Sequence, residues 1–436
     1  MLIQSIPFFA ILLFLILNIM IKKKFFCIST LSLLYVTLSF GGAILIYLRP
    51  RTGDSFVDLE AMVFLAVCMS LLCIPALMFN DHISAPLLQP TTRDMEKLSK
   101  LLIPCVLPVS LFYLCRALPY LHLYLTSDMG REDFRDGLNF AAPSESAFAF
   151  ITQFIACWDF VALFLLMYFI LNDSNKNRKL LIFFLLICGL GLCFDSLKNA
   201  VRSAIYYRFC FLGVSFLILS RFVPKTQKRQ ACKAFCIIGG CLLVPFLLIS
   251  IARFDTDFWY SIGSYISTGP YSFNTDYVAV TEYGIPTFCG YLSHGLINLF
   301  VDLIFGTTFH ADGAKNLDLL IDNQSATLWT YYSISGAYSG EFKTVIGSLL
   351  LDHSALYSFC LSFFISILFT LLFLKYRHIQ KLSVNLCAVI YFYILVNSPI
   401  GIVFHGKPGN LQLIYLILFV FILHCKENKQ KTIAID

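Results

Sequence analysis

The sequence predicts an all-α polytopic integral membrane protein, and three observations carry that expectation. Of the 436 residues, 58% are hydrophobic and only 13% charged, with a mean hydropathy of +0.77; this leaves too little polar surface to coat a soluble globule. Apolar blocks recur along nearly the whole chain, each near the roughly 20 residues that cross a hydrocarbon core. The blocks are unbroken rather than alternating, so they suit helices and not the strands of a closed barrel, the other structure that satisfies its backbone in lipid.

Taken in order, about eleven spans are expected, at 5–21, 25–48, 57–79, 100–124, 147–171, 180–194, 203–220, 234–252, 354–374, 383–404 and 411–425. The first block, "SIPFFAILLFLILNIMI", is preceded by no basic segment and followed by "KKK" rather than by a small-residue cleavage site, so it reads as a retained anchor and not a signal peptide. Counting alternate connections inward from "KKK", the inner set is Lys22 to Lys24, "NDHISAPLLQPTTRDMEKLSK", "NDSNKNRK", "RFVPKTQKRQACK", "KYRHIQK" and the tail "KENKQKTIAID". These short segments hold 20 of the 32 Lys and Arg, which puts the N-terminus outside and the C-terminus inside. The segment 284–309, "GIPTFCGYLSHGLINLFVDLIFGTTF", is apolar enough to suggest one more crossing, but a single crossing would turn "KYRHIQK" and the tail outward. It is therefore read as an interfacial or re-entrant helix within one large extracytoplasmic loop, 253–343. A loop of that length is uncommon unless it is functional. With no repeat, low-complexity tract or soluble domain in view, residues 1–436 are read as a single membrane domain.

Several chemistries are not expected. The 16 cysteines form no CxxC pair and sit almost entirely in apolar runs, where cysteine behaves as a small hydrophobe; no disulfide, metal site or other cofactor is expected. No glycine pattern suggests a phosphate loop, and Gly189–Gly191 and Gly239–Gly240 read as helix-packing positions. His294 and His310 lie in the large loop, each either a base or simply a hydrogen-bonded side chain, without a metal-ligand spacing. Nucleic acid is not an expected partner.

The scarce charge is concentrated where topology does not call for it. "SDMGREDFRDGLNF", 127–140, lies in the outer connection between the fourth and fifth spans. One reading is a surface helix capped by Ser127 and ended by Gly137, with Asp128–Arg131 and Glu132–Arg135 paired at i, i+3. The other has Arg131 and Arg135, one turn apart, directing both guanidinium groups at one anion, which at bilayer depth would be a lipid diphosphate. Lys198 and Arg202 repeat the i, i+4 spacing immediately before a span, where anchoring to headgroups is the alternative. Arg49 and Arg51 in "LRPRTGD", Arg253 in "ARFDTD", Lys315, Lys343 and Lys407 complete the outer cations. Inside apolar runs stand Arg116, Asp159 and Arg208. An intramembrane charge is costly unless paired, so Asp159 is expected to form an ion pair with Arg116 or Arg208, or else to move protons.

Four stretches and their order carry a resemblance. "GREDFR" is similar to an outer arginine stretch, and "DSLKNAVRSAIYYRFCFLGV" to a short outer turn whose cation leads into an aromatic helix, with "NAVR" in place of the usual "GxR". "YISTGPYSFNTDY", Tyr265 to Tyr277, is similar to a "Y-x-x-G-P" segment, and "NQSATLWTYYSISGAYSGEF" to an Asn/Thr-rich stretch, departing from its acidic-aromatic-glycine ending at Glu341. With the eleven-span layout, these resemble the Wzy-type O-antigen polymerases, or oligosaccharide repeat-unit polymerases. The resemblance implies a glycosyltransferase of surface polysaccharide or lipopolysaccharide biosynthesis in the bacterial cytoplasmic (inner) membrane. It would join undecaprenyl-diphosphate-linked repeat units on the outer, periplasmic face.

By that resemblance the partners are a polyprenyl-diphosphate-linked oligosaccharide, membrane lipid and a chain-length regulator, and no nucleotide sugar is needed. Displacement at an anomeric carbon develops negative charge on the departing diphosphate, which guanidinium groups stabilise; Arg131, Arg135, Arg202 and Arg253 are the catalytic candidates. Arg51, Lys198, Tyr265, Tyr271 and Asn274 are candidates for substrate binding. A base for the attacking hydroxyl is sought among Glu132, Glu282, His294, Asp302 and His310. An O-antigen ligase shares the architecture and donor; a lipid-linked oligosaccharide flippase, the reading from another class, commonly shows internal repeats.

Overall fold

The computed structural model describes residues 2–47, 57–81, 87, 90–126, 147–172, 178–197, 203–251, 258–282, 343–352, 354–377, 380–401, 404 and 406–433. Among these residues the regular structure is helical, with no strand. In chain order the helices are α1 (Ile6–Lys22), α2 (Ile28–Tyr47), α3 (Leu59–Met78), α4 (Thr92–Thr126), α5 (Ala147–Ala156), α6 (Asp159–Asn172), α7 (Lys179–Gly189) and α8 (Gly191–Leu197). They continue as α9 (Ser203–Leu219), α10 (Lys225–Ile251), α11 (Phe258–Thr281), α12 (Val345–Asp352), α13 (Ala355–Lys375), α14 (Leu382–Asn397) and α15 (Gly406–Ile433).

Among the described residues, eight helical stretches are long and apolar enough to cross a membrane: Ile3–Lys22, Ile28–Leu45, Leu59–Met78, Thr92–Pro119, Ile151–Asn172, Ser203–Phe222, Ala355–Lys375 and Pro408–Gln430. The chain is a polytopic membrane protein, and each of these stretches overlaps one of the expected spans. The other three expected spans fall on α7 with α8, on α10 and on α14; α7 and α14 are apolar but shorter.

The chain divides into two compact units, one of residues 1–82, 259–378 and 390–410, the other of residues 83–258, 379–389 and 411–436. In the first unit α3 packs against α1 and α13. The α13 sequence explains its contact, because Ser358, Ser362 and Ser366 recur at every fourth position and are buried, while Phe363, Phe364 and Leu371 stand outward. This pattern is the reverse of a soluble helix: small residues let helices approach, and large apolar ones meet lipid. Ser362 and Ser358 return their hydroxyls to the carbonyls of Ser358 and Ser354, at 2.7 and 2.8 Å, so burial leaves these donors satisfied. The end of α3 is closed by Lys22, whose ammonium donates to the Phe79 carbonyl and lies 3.8 Å from Asp81. Phe79 packs edge to face on Phe373 and on Phe392 at this end, with ring centroids 5.0 Å apart in each case.

In the second unit α6 packs against α7, α9 and α10, and α4 against α7 and α8. Two expected spans are broken helices. The chain turns at Cys157 and Trp158, so α6 starts at Asp159; likewise Leu190 separates α7 from α8. The glycines flanking Leu190 are packing positions, as expected: an added Cβ would lie 2.3 Å from Leu163 Cδ2 at Gly189 and 2.5 Å from Ser110 Oγ at Gly191. Starting α6 at Asp159 sets a fully buried carboxylate on a first turn, where the helix dipole favours negative charge. Arg208 Nη2 of α9 donates to Asp159 Oδ2 at 2.5 Å, and Gln412 Nε2 of α15 donates to both carboxylate oxygens, at 2.9 and 3.1 Å. Of the two partners left open by the sequence, the structure selects Arg208.

Candidate functional site

α11 carries a run of buried polar residues in the first unit. The sequence placed its residues in the outer loop and expected a helix only near 284–309, a segment outside the described residues. The structure makes 258–281 a 24-residue helix. From Ser267 to Ala279 every residue is buried except Thr275, which is intermediate, and the buried set includes Ser267, Thr268, Ser272, Asn274 and Asp276. Polar groups are buried only where partners compensate their lost hydration, and inside a membrane protein they mark a functional interior more often than a packing core.

Sequence detail explains how this polar helix fits. Gly42 of α2 faces Ser267, whose Oγ would lie 2.1 Å from an added Cβ. Pro270 withholds a helical hydrogen bond. At Gly269 a Cβ would meet the Pro399 carbonyl at 2.0 Å, so the approach of α11 to the 397–401 segment depends on glycine. That segment in turn holds the start of α12, since Val345 N donates to the Ser398 carbonyl at 2.8 Å. Gly269→Ala is expected to destabilise the protein by about 1–3 kcal/mol, the usual cost of overpacking. An unchanged melting temperature in detergent would contradict the contact.

One turn of α11 ties three elements together. Asn274 Oδ1 accepts from the Asp58 backbone N at 2.8 Å, just where Asp58 caps α3 by accepting from Glu60 N and Ala61 N at 3.2 and 3.0 Å. Asp276 Oδ1 accepts from Lys343 Nζ at 2.7 Å; the Asp276 side chain is 1% exposed and that of Lys343 21%. The Tyr277 hydroxyl donates to Glu60 Oε1 at 2.8 Å. Burial, and then the Glu60 carboxylate beside it, hold the Tyr277 phenol above the usual tyrosine range, so it stays a donor. Thr344 follows Lys343 and caps α12, its Oγ1 accepting from Gly347 N at 2.9 Å. Three carboxylates of different exposure, an ammonium, a phenol and an amide thus gather beside the α3 N-terminus. This set can bind hydroxyl-rich or anionic groups and can accept a proton. Among the described residues no three His, Cys, Asp or Glu side chains gather where a metal ion would be held.

Of the site residues expected from the sequence, Tyr271 and Asn274 lie buried on this helix. Tyr265 is on α11, its side chain outside the description, and Glu282 stands exposed just past the helix end. Arg51, Arg131, Glu132, Arg135, Lys198, Arg202, Arg253, His294, Asp302 and His310 lie outside the described residues. The structure adds Asp58, Glu60, Asp276 and Tyr277, and supplies a reason for Lys343, an outer cation the sequence left unexplained. Asp276 and Tyr277 were in view as the end of "SFNTDY". Asp58 and Glu60 open the expected span 57–79, where acids read as a helix start. Comparison of the chain with protein-family models, with curated proteins and with solved structures finds no match.

Proposed function

We propose that this chain polymerises polyprenyl-diphosphate-linked oligosaccharide repeat units on the outer face of the bacterial cytoplasmic membrane, with eleven spans and the N-terminus outside. One observation carries the reading. The stretch Tyr265 to Tyr277, singled out by resemblance, lies on a helix with buried polar residues whose last turns join carboxylates, a phenol and Lys343. A hydroxyl of one lipid-linked unit attacks the anomeric carbon of another, and the bond from that carbon to the diphosphate breaks with its electron pair on the leaving group. Cations lower the barrier by meeting that charge. Arg131, Arg135, Arg202 and Arg253 are the sequence's candidates for this task, and Lys343 joins them.

A second reading has an observation of its own. A helix that carries Gly269–Pro270 within it and is lined with buried polar side chains also suits a transporter's substrate site, which favours a flippase over a ligase as the alternative. Deleting the chain and running surface glycan on a gel separates all three. Polymerase loss leaves single repeat units in place of a ladder. Flippase loss removes surface glycan altogether, and ligase loss strands long glycan on the carrier. An unchanged ladder would end the proposal.

A further inference from the structure

We infer that Glu60 accepts the proton of the attacking hydroxyl and that Tyr277 positions it; this rests on the polymerase reading above. A carboxylate that serves as base in this reaction must be one that substrate can reach. Asp276 and Asp352 are buried, and Asp58 commits both carboxylate oxygens to capping α3. Glu282 is exposed, but no side-chain hydrogen bond holds it among the described residues. Glu60 alone in this cluster is both open and held. It is exposed on the first turn of α3, its backbone N is fixed by Asp58, and its Oε1 accepts from Tyr277 at 2.8 Å.

Tyr277 is a rigid support. It is 4% exposed, and its ring packs against Phe64 and Phe273 with centroids 5.6 and 6.1 Å away, which keeps the phenol in place. With Oε1 taking the Tyr277 hydrogen bond, Oε2 is the oxygen assigned to the incoming proton. In the step itself, the hydroxyl oxygen bonds to the anomeric carbon, the carbon–phosphate oxygen bond breaks, the electron pair leaves on the diphosphate, and the proton passes to Glu60 and then to water. The substitution Glu60→Gln retains an acceptor for Tyr277, so it tests proton transfer without removing the contact.

The test uses the full chain in nanodiscs and the lipid-linked repeat units that accumulate in cells lacking it. Failure of the wild-type protein to lengthen these units would overturn the polymerase reading, and this inference with it. With an active wild type, Glu60→Gln is expected to lower kcat about a hundredfold, the usual scale for a positioned base, while KM stays within about twofold. Glu60→Ala should regain at least about tenfold in added formate, because a small carboxylate can take the missing base's place. Tyr277→Phe should lower kcat by roughly five- to tenfold with KM unchanged, as expected for a positioning residue. Full activity in Glu60→Gln, or a folded Glu60→Ala that formate does not rescue, overturns the assignment while leaving the polymerase reading intact.

Discussion

Replacing Arg208 with alanine is expected to destabilise the protein by about 3–5 kcal/mol, the cost of leaving one member of a buried ion pair behind. Asp159 is fully buried and Arg208 is 4% exposed, so neither charge can turn to water when its partner is lost. Arg208 also donates to the Ala204 carbonyl at 3.1 Å and lies over the Phe160 ring, 5.5 Å from its centroid. Its loss therefore removes packing as well as charge. Asp159→Leu should cost a similar amount, since it leaves the guanidinium uncompensated. The triple replacement Asp159→Leu, Arg208→Met, Gln412→Leu removes every member of the cluster and should recover to within about 2 kcal/mol of the parent, because an apolar substitute for a buried pair is often near neutral. Unfolding of the purified proteins in detergent, read beside their abundance in cells, measures all three. If Arg208→Ala alone is as stable as the parent, the pair does not hold α6, α9 and α15 together.

The same pair illustrates what the sequence made legible. A carboxylate in the middle of "ACWDFVALF" announces itself because so few residues there are charged; its partner does not, because Arg116 and Arg208 are equally good candidates until α9 is placed beside α6. Hydropathy located the membrane helices well, since a span must be apolar along most of its length. It passed over the turn at Cys157–Trp158, as both sides are apolar and a window average runs straight through. It also read α11 as loop. A helix sealed among other helices can carry Ser267, Thr268, Ser272, Asn274 and Asp276 provided each finds a partner, and hydropathy weighs composition without partners. The resemblance did single out Tyr265 to Tyr277, so part of the site was visible as a motif. Its connection to Asp58 and Glu60, more than 200 positions earlier in the chain, depends on tertiary structure alone.

The ion pair in that site should behave unlike the one at Asp159, and the reason is exposure. Lys343→Met would leave the Asp276 carboxylate, with its side chain 1% exposed, without its ammonium; about 3–5 kcal/mol is the expected loss. Asp276→Asn leaves an amide oxygen that still accepts from the ammonium, on a lysine side chain that is 21% exposed and retains contact with water. That change should cost only about 1–2 kcal/mol, near the value of a charge-assisted hydrogen bond reduced to an ordinary one. Equal losses from the two substitutions would mean that burial does not set the energetics of the pair. Glycan gels then separate support from function, because Asp276→Asn is expected to fold. A shortened ladder at normal abundance would place the pair in the reaction, through the aim of Lys343 at the leaving diphosphate, whereas a full ladder would reduce Asp276 and Lys343 to a clasp between α11 and the start of α12.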